Sequence, residues 1–481
     1  MSKDKFDFMR EKDINIVKEN VNVIIEKAHN KEIQIIEPVL EEFKSVKSVI
    51  LNFIKKEKRI IYGGYAWNAL ISKVSPKDAF YKETDYTDVE FYSNKPIEDM
   101  KKLCDILDSK GFKYIQGKSA QHEDTYTIFV NFTGYCDITY VPSNIFYSMM
   151  TETINGFKFV HPKFVMVDIL RQYNDPIISY RRLDKNIIRG QLMMKYYPFE
   201  LSTNIIEMPT LSTEATQLVD YIIPNLVKSK SILFIGKIAL NAFATPNKNI
   251  SEQTTTYSNN VIELISTNLS KDVSVLYNII LKYFIENKKS EEFNDKILLE
   301  QYYPFFQFTD KKAVFKYNGS PFLIIYGNNE KCIPFININF SFKNNNYEIK
   351  IGTFNVVFMF ELIKYHYAYI NNDKHNQNLQ DYIMYKLIEY RNSFLEENKK
   401  TILDETIFED FKVDCFGTPM SPVRKYMLSR RDRKLMPKSS IYPYDPKEQK
   451  YNYQTESYYF SNYSGNIINN PRDLIFNPKK D

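Results

Sequence analysis

Residues 59–70 read RIIYGGYAWNAL and residues 87–92 read TDVEFY. In the first stretch Arg59 to Tyr62 is a short β-type run, Gly63 and Gly64 follow at once, and Tyr65 to Ser72 has helical character, giving a strand–glycine turn–helix unit. Glycine at such a turn allows close backbone approach, and the free N–H groups at the start of the helix suit phosphate. In the second stretch the period is two. Asp88 and Glu90 share one face of a strand, and Val89 and Phe91 take the other. Asp85, three residues before Asp88, cannot share that face and is read as loop. A third carboxylate, Asp137, lies on a strand over Tyr135–Val141, where Cys136, Ile138 and Tyr140 face the core and Asp137 and Thr139 the other side. If these strands are neighbours, three carboxylates converge, the arrangement that holds divalent cations in nucleotidyl transfer.

The order of these parts (glycine turn and helix, acidic pair, third acid on a later strand) resembles the nucleotidyltransferase (polymerase β-like) superfamily. Over residues 59–200 the phrases IIYGGYAWNAL, TDVEFYS, CDITYVPSNIF, FVHPKF and KYYP look like the catalytic subunit of poly(A) polymerases of large DNA viruses, the African swine fever and giant-virus groups. The tail phrases DCFGTPMSPVRKY and SGNIINNPR look like the giant-virus members. The resemblance implies ATP as donor, the RNA 3′ end as acceptor, Mg2+ or Mn2+ as cofactor, a viral source working in the host cytoplasm, and a homodimer. It also implies roles: Asp88, Glu90 and Asp137 as metal ligands and catalytic residues, Gly63 and Gly64 as the cradle of the terminal phosphates. One departure stands out. The family's acidic pair is usually D-x-D and here it is Asp88-x-Glu90, a carboxylate displaced by roughly 1.5 Å, about one covalent bond. Two other readings therefore stay open: a nucleotidyltransferase with a different acceptor, and an inactive RNA-binding or assembly subunit on the same scaffold.

The fold class expected is α/β (α+β), a palm-like mixed sheet with flanking helices and a second, degenerate nucleotidyltransferase-like domain. The chain of 481 residues exceeds one ordinary core. Its 43% hydrophobic and 15% aromatic content excludes a disordered chain. A net charge of +5 permits a nucleic-acid partner only if the charge is clustered. The cysteines Cys104, Cys136, Cys332 and Cys415 are far apart and form no CxxC, which argues against a zinc site and against a disulfide framework, and so for a reducing compartment. The N-terminus is charged, and no run of 18 apolar residues points to a membrane span.

Val39, Phe43, Val46 and Ile50 recur at helical spacing, so 1–58 reads as N-terminal helices before a catalytic domain at 59–200. Further strands are expected at Phe112–Gln116 and Thr125–Asn131. From about residue 231 a phrase of the chain recurs, which a duplicated domain explains and which coincidence in an Ala/Asn-containing helix would also produce. ILFIGKIALNAF (232–243) sets Gly63 on Gly236, Ala66 on Ala239, Asn68 on Asn241 and Ala69 on Ala242. The glycine pair is lost in this second copy and no acidic pair on an alternating strand is evident after it, so 201–412 is read as catalytically dead. Residues 413–481 form a basic and aromatic arm.

For substrate handling, Arg181, Lys185 and Arg189 are spaced to stripe one helical face, with Arg181 and Lys185 as candidate ATP contacts. Residues 424–438 (RKYMLSRRDRKLMPK), with Arg424, Lys425, Arg430 and Arg431, precede a run of tyrosines and suit single-stranded RNA. His161, Trp67 and the Asp168–Arg171 pair are read as structural.

Overall fold

The computed structural model describes residues 9–36, 38–82, 85–120, 125–302, 304–328, 331–421, 423, 424 and 427, and the backbone of 459–463. It divides into two compact units. The first takes the described residues of 1–120, 124–140 and 153–159; the second takes 141–152 and the rest of the chain from 160.

The first unit begins with α1 (Glu11–Ile35), which buries only Ile33, and α2 (Leu40–Lys56). In α2, Phe43, Val46, Ile50 and Phe53 make the apolar stripe, with Glu41 and Glu42 at its start and Lys55 and Lys56 at its end, charges that suit the helix dipole. The strand β1 (Ile60–Tyr62) runs into α3 (Gly63–Val74) with no intervening loop. After β2 (Val89–Ser93) comes α4 (Pro96–Ser109), opened by a proline at its first turn. The remaining strands are β3 (Gln116–Ser119), β4 (Thr125–Val130) and β5 (Thr133–Tyr140). α5 (Ser143–Ser148), β6 (Thr151–Ile154) and β7 (Phe157–Val160) follow. The seven strands form one sheet in the order β3-β4-β5-β2-β1-β7-β6. The strand expected over Phe112–Gln116 instead occupies Gln116–Ser119; Gly111 (φ +87°) and Tyr114 (φ +50°) hold the earlier residues in turns.

The second unit continues with α6 (Pro162–Tyr173), α7 (Pro176–Ser179), α8 (Leu183–Tyr196) and α9 (Thr213–Leu226). Next come β8 (Ile232–Ile235), α10 (Gly236–Ala244), β9 (Thr254–Thr256), β10 (Ile262–Ser266), α11 (Leu269–Glu286) and α12 (Phe293–Lys296). Five strands follow: β11 (Ile297–Tyr302), β12 (Lys312–Tyr317), β13 (Ser320–Gly327), β14 (Ile333–Phe342) and β15 (Asn345–Gly352). α13 (Phe354–Ile370) is apolar almost all round, as befits a buried helix, and α14 (Lys374–Asn398) follows it. Short strands β16 (Cys415–Phe416) and β17 (Tyr459–Tyr463) close the order.

The second sheet contains the path β14-β15-β8-β10-β13-β12-β11. Read against the first sheet it is the same order, with β8, β10 and β13 in the places of β1, β2 and β5. The senses agree too. β1 and β2 are antiparallel, as are β8 and β10. β2 and β5 are parallel, as are β10 and β13. The extra strands β9 and β16 join β14 at one edge, and β17 joins β11 at the other.

The cysteine reading needs correction. Cys332 and Cys415 are joined in a disulfide across 83 residues, with Cα atoms 4.8 Å apart. Antiparallel pairing of β14 with β16, Pro334 opposite Cys415, brings the two together. Pairing between strands so far apart in sequence leaves no trace in cysteine spacing.

Candidate active site

Tyr62 is fully extended (φ −132°, ψ −170°), and the chain reverses at Gly63, whose φ of +67° lies in the left-handed region. A Cβ built on Gly63 would stand 1.6 Å from Oε2 of Glu90, so glycine is required there by both backbone and space. Glu90 lies opposite Tyr62 on β2 and accepts the backbone N–H of Gly64 at 2.9 Å. The glutamate thus reaches the first turn of α3, and the glycine pair and the acidic strand form one constellation.

Asp137 is the parallel partner of Glu90: β2 and β5 pair with Glu90 opposite Asp137 and Val89 opposite Cys136. Val89, Phe91, Cys136 and Ile138 are buried and the carboxylates point the other way. The pairing of strands required by the sequence reading is therefore present. Asp88 stands one residue before β2, exposed, at the mouth of the strand. The Asp137 carboxylate accepts the Thr127 hydroxyl from β4 at 2.5 Å. Asp85 is in a turn, where it accepts the backbone N–H of Lys82. Among the described residues no three His, Cys, Asp or Glu side chains are grouped tightly enough to hold a metal ion as they stand. Glu90 and Asp137 are instead turned onto donors of the protein. The donor set still fits a hard divalent cation, because it consists of carboxylates from adjacent strands with one shared outward face and a Cβ-free cradle beside it.

Several supporting residues carry no signal in a first reading. Lys47 of α2 donates to Thr87, the residue before Asp88, at 2.5 Å, with its ammonium 4.7 Å from the centre of the Tyr65 ring. Burial pulls its pKa down to about 8 against the opposing pull of Asp88 and Asp85. At the end of β2, Ser93 donates to Asp99 at 2.5 Å, and Arg59 clasps the same carboxylate with two bonds of 2.6 and 2.8 Å. Asn68 fixes the following loop by accepting the N–H groups of Phe80 and Tyr81.

The second sheet holds the same construction. Gly236 has φ +59° after an extended Ile235, and a Cβ there would meet Glu263 Oε1 at 2.7 Å. Glu263 lies opposite Ile235 as Glu90 lies opposite Tyr62. Ser266 donates to Asp272 as Ser93 does to Asp99. The offset that sets Gly63 on Gly236 also sets Asn68 on Asn241, Glu90 on Glu263, Ser93 on Ser266 and Asp99 on Asp272 without a gap. Extending the repeat past its first phrase would have found Glu263. The same offset puts Val261 where Asp88 stands, and Ile324 of β13 lies opposite Glu263, where Asp137 lies opposite Glu90.

The other candidates fall as follows. Arg181 sits in a single 3-10 turn (Tyr180–Arg182) and donates to Tyr180, and this turn runs directly into α8, which carries Lys185 and Arg189. Arg181 and Lys185 are exposed. His161 caps α6 by accepting the N–H of Lys163, and burial lowers its pKa. Trp67 is buried, and Asp168 pairs with Arg171 at 3.1 Å. Arg424 is described, with its N–H on Ser421. Lys425, Arg430, Arg431 and the tyrosines from Tyr442 to Tyr458 lie outside the described residues. No described helix is long and apolar enough to cross a membrane.

A glycine turn leading into a helix, with carboxylates in register on the next two strands of a mixed sheet, defines a nucleotidyltransferase. The comparisons narrow the class. Residues 48–179 match the model of the poly(A) polymerase catalytic subunit, and 217–478 match that of the C-terminal part of the mimivirus poly(A) polymerase catalytic subunit. A protein of Acanthamoeba polyphaga mimivirus described as a poly(A) polymerase catalytic subunit is 33% identical over 96% of this chain and 83% of its own length. An African swine fever virus protein (isolate Pig/Kenya/KEN-50/1950) of the same description is 32% identical over 33% of this chain and 34% of its own. The crystal structure of the Megavirus polyadenylate synthase is similar with a TM-score of 0.78 at 29% identity, covering 92% of this chain and 87% of that one. The chain belongs to the poly(A) polymerase catalytic subunit family of large DNA viruses.

Proposed function

We propose that the protein transfers AMP from ATP to the 3′-hydroxyl of mRNA at the face built by Asp88, Glu90 and Asp137, in the host cytoplasm. The observation that carries this reading is the register of Glu90 with Asp137 beside the left-handed Gly63. Asp88, Glu90 and Asp137 would hold Mg2+ or Mn2+, which when bound supplies the positive charge that offsets the triphosphate and lowers the pKa of the attacking hydroxyl. The chain's own part is to orient. Gly63 and Gly64 would cradle the terminal phosphates at the first turn of α3 once Glu90 turns from the Gly64 N–H to a bound cation, Thr127 fixes Asp137, and Arg181 and Lys185 are exposed cations available to phosphate. Arg424, Lys425, Arg430 and Arg431 meet the RNA backbone. The second sheet is a degenerate copy, since Val261 and Ile324 cannot ligate a cation. The proposed division is 1–58, 59–200, 201–412 and 413–481.

The test is extension of a labelled oligoribonucleotide by the full chain with Mg2+ or Mn2+ and each NTP in turn. An ATP-specific ladder that Asp88→Ala, Glu90→Ala and Asp137→Ala each abolish is expected. Extension by all three variants would overturn the site, and a product other than an adenylate tail would point to another acceptor.

The same reading includes a homodimer. Supporting it, α1 exposes Ile14, Val17, Val21 and Ile24 at alternating spacings of three and four residues, the pattern of a helix that packs on another helix. Sedimentation of Val17→Glu/Ile24→Glu as a monomer beside a dimeric native chain is the expected outcome; identical sedimentation would remove α1 from the interface.

A further inference from the structure

Lys47 belongs to α2, outside the strand–turn–helix unit, yet its side chain reaches the acidic site. α2 buries Phe43, Val46 and Ile50 on its inner face, and Lys47 follows Val46 on the shoulder of that face. A lysine there ordinarily runs its stem along the apolar surface and puts its head in water. Here the head turns inward. Nζ donates to the Thr87 hydroxyl at 2.5 Å and lies over the rings of Tyr65 (4.7 Å) and Phe43 (5.5 Å). Thr87 is only 8% exposed and precedes Asp88. Its own N–H donates to the carbonyl of Asp85, so the turn is held at both ends. Tyr65 lies in the first turn of α3, directly after the glycine pair. One ammonium thus touches the residue that carries Asp88 into β2 and the helix that carries Gly63 and Gly64.

We infer that Lys47 is a positioning residue for the acidic site: by binding Thr87 while seated on Tyr65, it holds Asp88 in register with Glu90 and Asp137 and fixes the acid turn to the glycine-turn helix. This rests on the assignment of Asp88 to the metal-holding set. The physical need is specific. Asp88 is exposed and stands outside the β2 ladder, so the strand pairing that orients Glu90 and Asp137 does not orient Asp88. A displacement of about 1 Å in a reacting group costs on the order of 100-fold in rate. A fixed point one residue away is what an off-ladder ligand requires. Lys47 acts through Thr87, and its role is to restrict the turn.

The experiment uses the full chain in the variants Lys47→Met, Lys47→Arg, Thr87→Val, the double variant Lys47→Met/Thr87→Val, and Asp88→Ala. Two readouts are taken: Mn2+ binding to the RNA-free protein by electron paramagnetic resonance, and kcat and KM for ATP in the extension assay. Lys47→Met is expected to weaken Mn2+ binding about tenfold and to lower kcat between about 10- and 100-fold, with KM for ATP within about twofold. Thr87→Val should reproduce both changes, the double variant should be no worse than either single one, and Lys47→Arg should restore part of the loss. Native Mn2+ binding and kcat in both Lys47→Met and Thr87→Val would overturn the inference. So would a rise in KM alone, which would make Lys47 a triphosphate contact, or additive losses in the double variant. If Lys47→Met folds poorly by its melting curve, Thr87→Val, a near-isosteric change, decides the matter. Asp88→Ala separates the two failures: full Mn2+ binding and activity in that variant would sink the site assignment itself, whereas loss there with no effect at Lys47 and Thr87 sinks only this inference.

Discussion

Lys364 donates to both carboxylate oxygens of Glu263, at 2.9 and 3.2 Å. Glu263 is the residue of the second sheet that stands where Glu90 stands in the first, so an ammonium from α13 faces that glutamate. The same ammonium lies 2.7 Å from Glu361, which is fully buried. When Val261 and Ile324 occupy the positions of the other two acids, the remaining glutamate would be a buried charge without a partner. A lysine from the neighbouring helix provides the partner from within the fold. The left-handed Gly236 is retained beside it because the Glu263 side chain fills the space a Cβ would need.

Removing the ammonium should therefore damage stability and spare chemistry. Lys364→Met leaves Glu361 buried without a cation and Glu263 with only the weaker pull of Lys312 on β12, a loss of about 3–5 kcal/mol for breaking such a pair on one side. A thermal melt should show a drop of roughly 10 °C, while the folded fraction keeps its tailing rate. Adding Glu263→Gln and Glu361→Gln should recover much of the drop. Loss of tailing in Lys364→Met comparable to that of Glu90→Ala, without a change in melting, would contradict the vestigial reading.

How much of this was readable beforehand follows from where each signal lies in the chain. The strand–turn–helix unit was readable because Gly63 and Gly64 interrupt the pattern locally. The face shared by Asp88 and Glu90 was readable because a strand has period two. The pairing of Glu90 with Asp137 was written in the sequence only as a conditional, since register between distant strands depends on the whole sheet. The likeness of the second sheet to the first is legible only in part. Gly236 and Asn241 marked it, but Glu263 sits in a strand buried on both faces, where no alternation draws the eye. Lys47, Arg59 and the Cys332–Cys415 bond act across the fold and leave no spacing to find.

Glycine at position 63 should be the least replaceable residue of the site. Gly63→Ala asks an L side chain to adopt φ +67° and places a Cβ within 1.6 Å of Glu90 Oε2, so the glutamate must leave Gly64 and the turn must shift. The expected outcome is a fall in kcat of about 100-fold or more with RNA binding retained in a filter assay. Gly64→Ala, at a residue already helical, should be far milder. Equal activity of native and Gly63→Ala proteins would remove the turn from the site.

The disulfide ties the segment around Phe416 to the start of β14. Loop-entropy arguments give roughly 4–5 kcal/mol for a closed loop of this length. Non-reducing peptide mapping should recover a cross-linked peptide containing Cys332 and Cys415, with Cys104 and Cys136 as thiols. Cys415→Ser should melt earlier than the native chain under oxidising conditions and match it in reductant. Recovery of Cys332 as a free thiol from protein never exposed to reductant would show that β14–β16 pairing alone holds this segment.

Asp410 gives the clearest dependence of stability on pH. It is buried beside the first turn of α13, where one oxygen accepts the N–H of Asn355 at 3.3 Å, while Oδ2 has no hydrogen-bond partner among the described residues. Burial pushes its pKa up to about 7, against the opposing pull of the Asn355 N–H, Arg391 and Thr353, with Glu409 adding to the rise. A carboxyl whose folded pKa is raised takes up protons on folding between the two values. Its stabilising contribution is fully present below about pH 4 and is lost as pH rises through about 7, at up to roughly 1.4 kcal/mol per pH unit. Asp410→Asn removes that titration. The melting temperature of the variant relative to the native chain should therefore rise from about pH 4 to about pH 7 and level off above that, with the native chain the more stable at the acid end. Parallel melting curves for the two proteins across that range would show that Asp410 stays ionised in the fold and that Arg391, whose pKa burial lowers, holds its charge beside it.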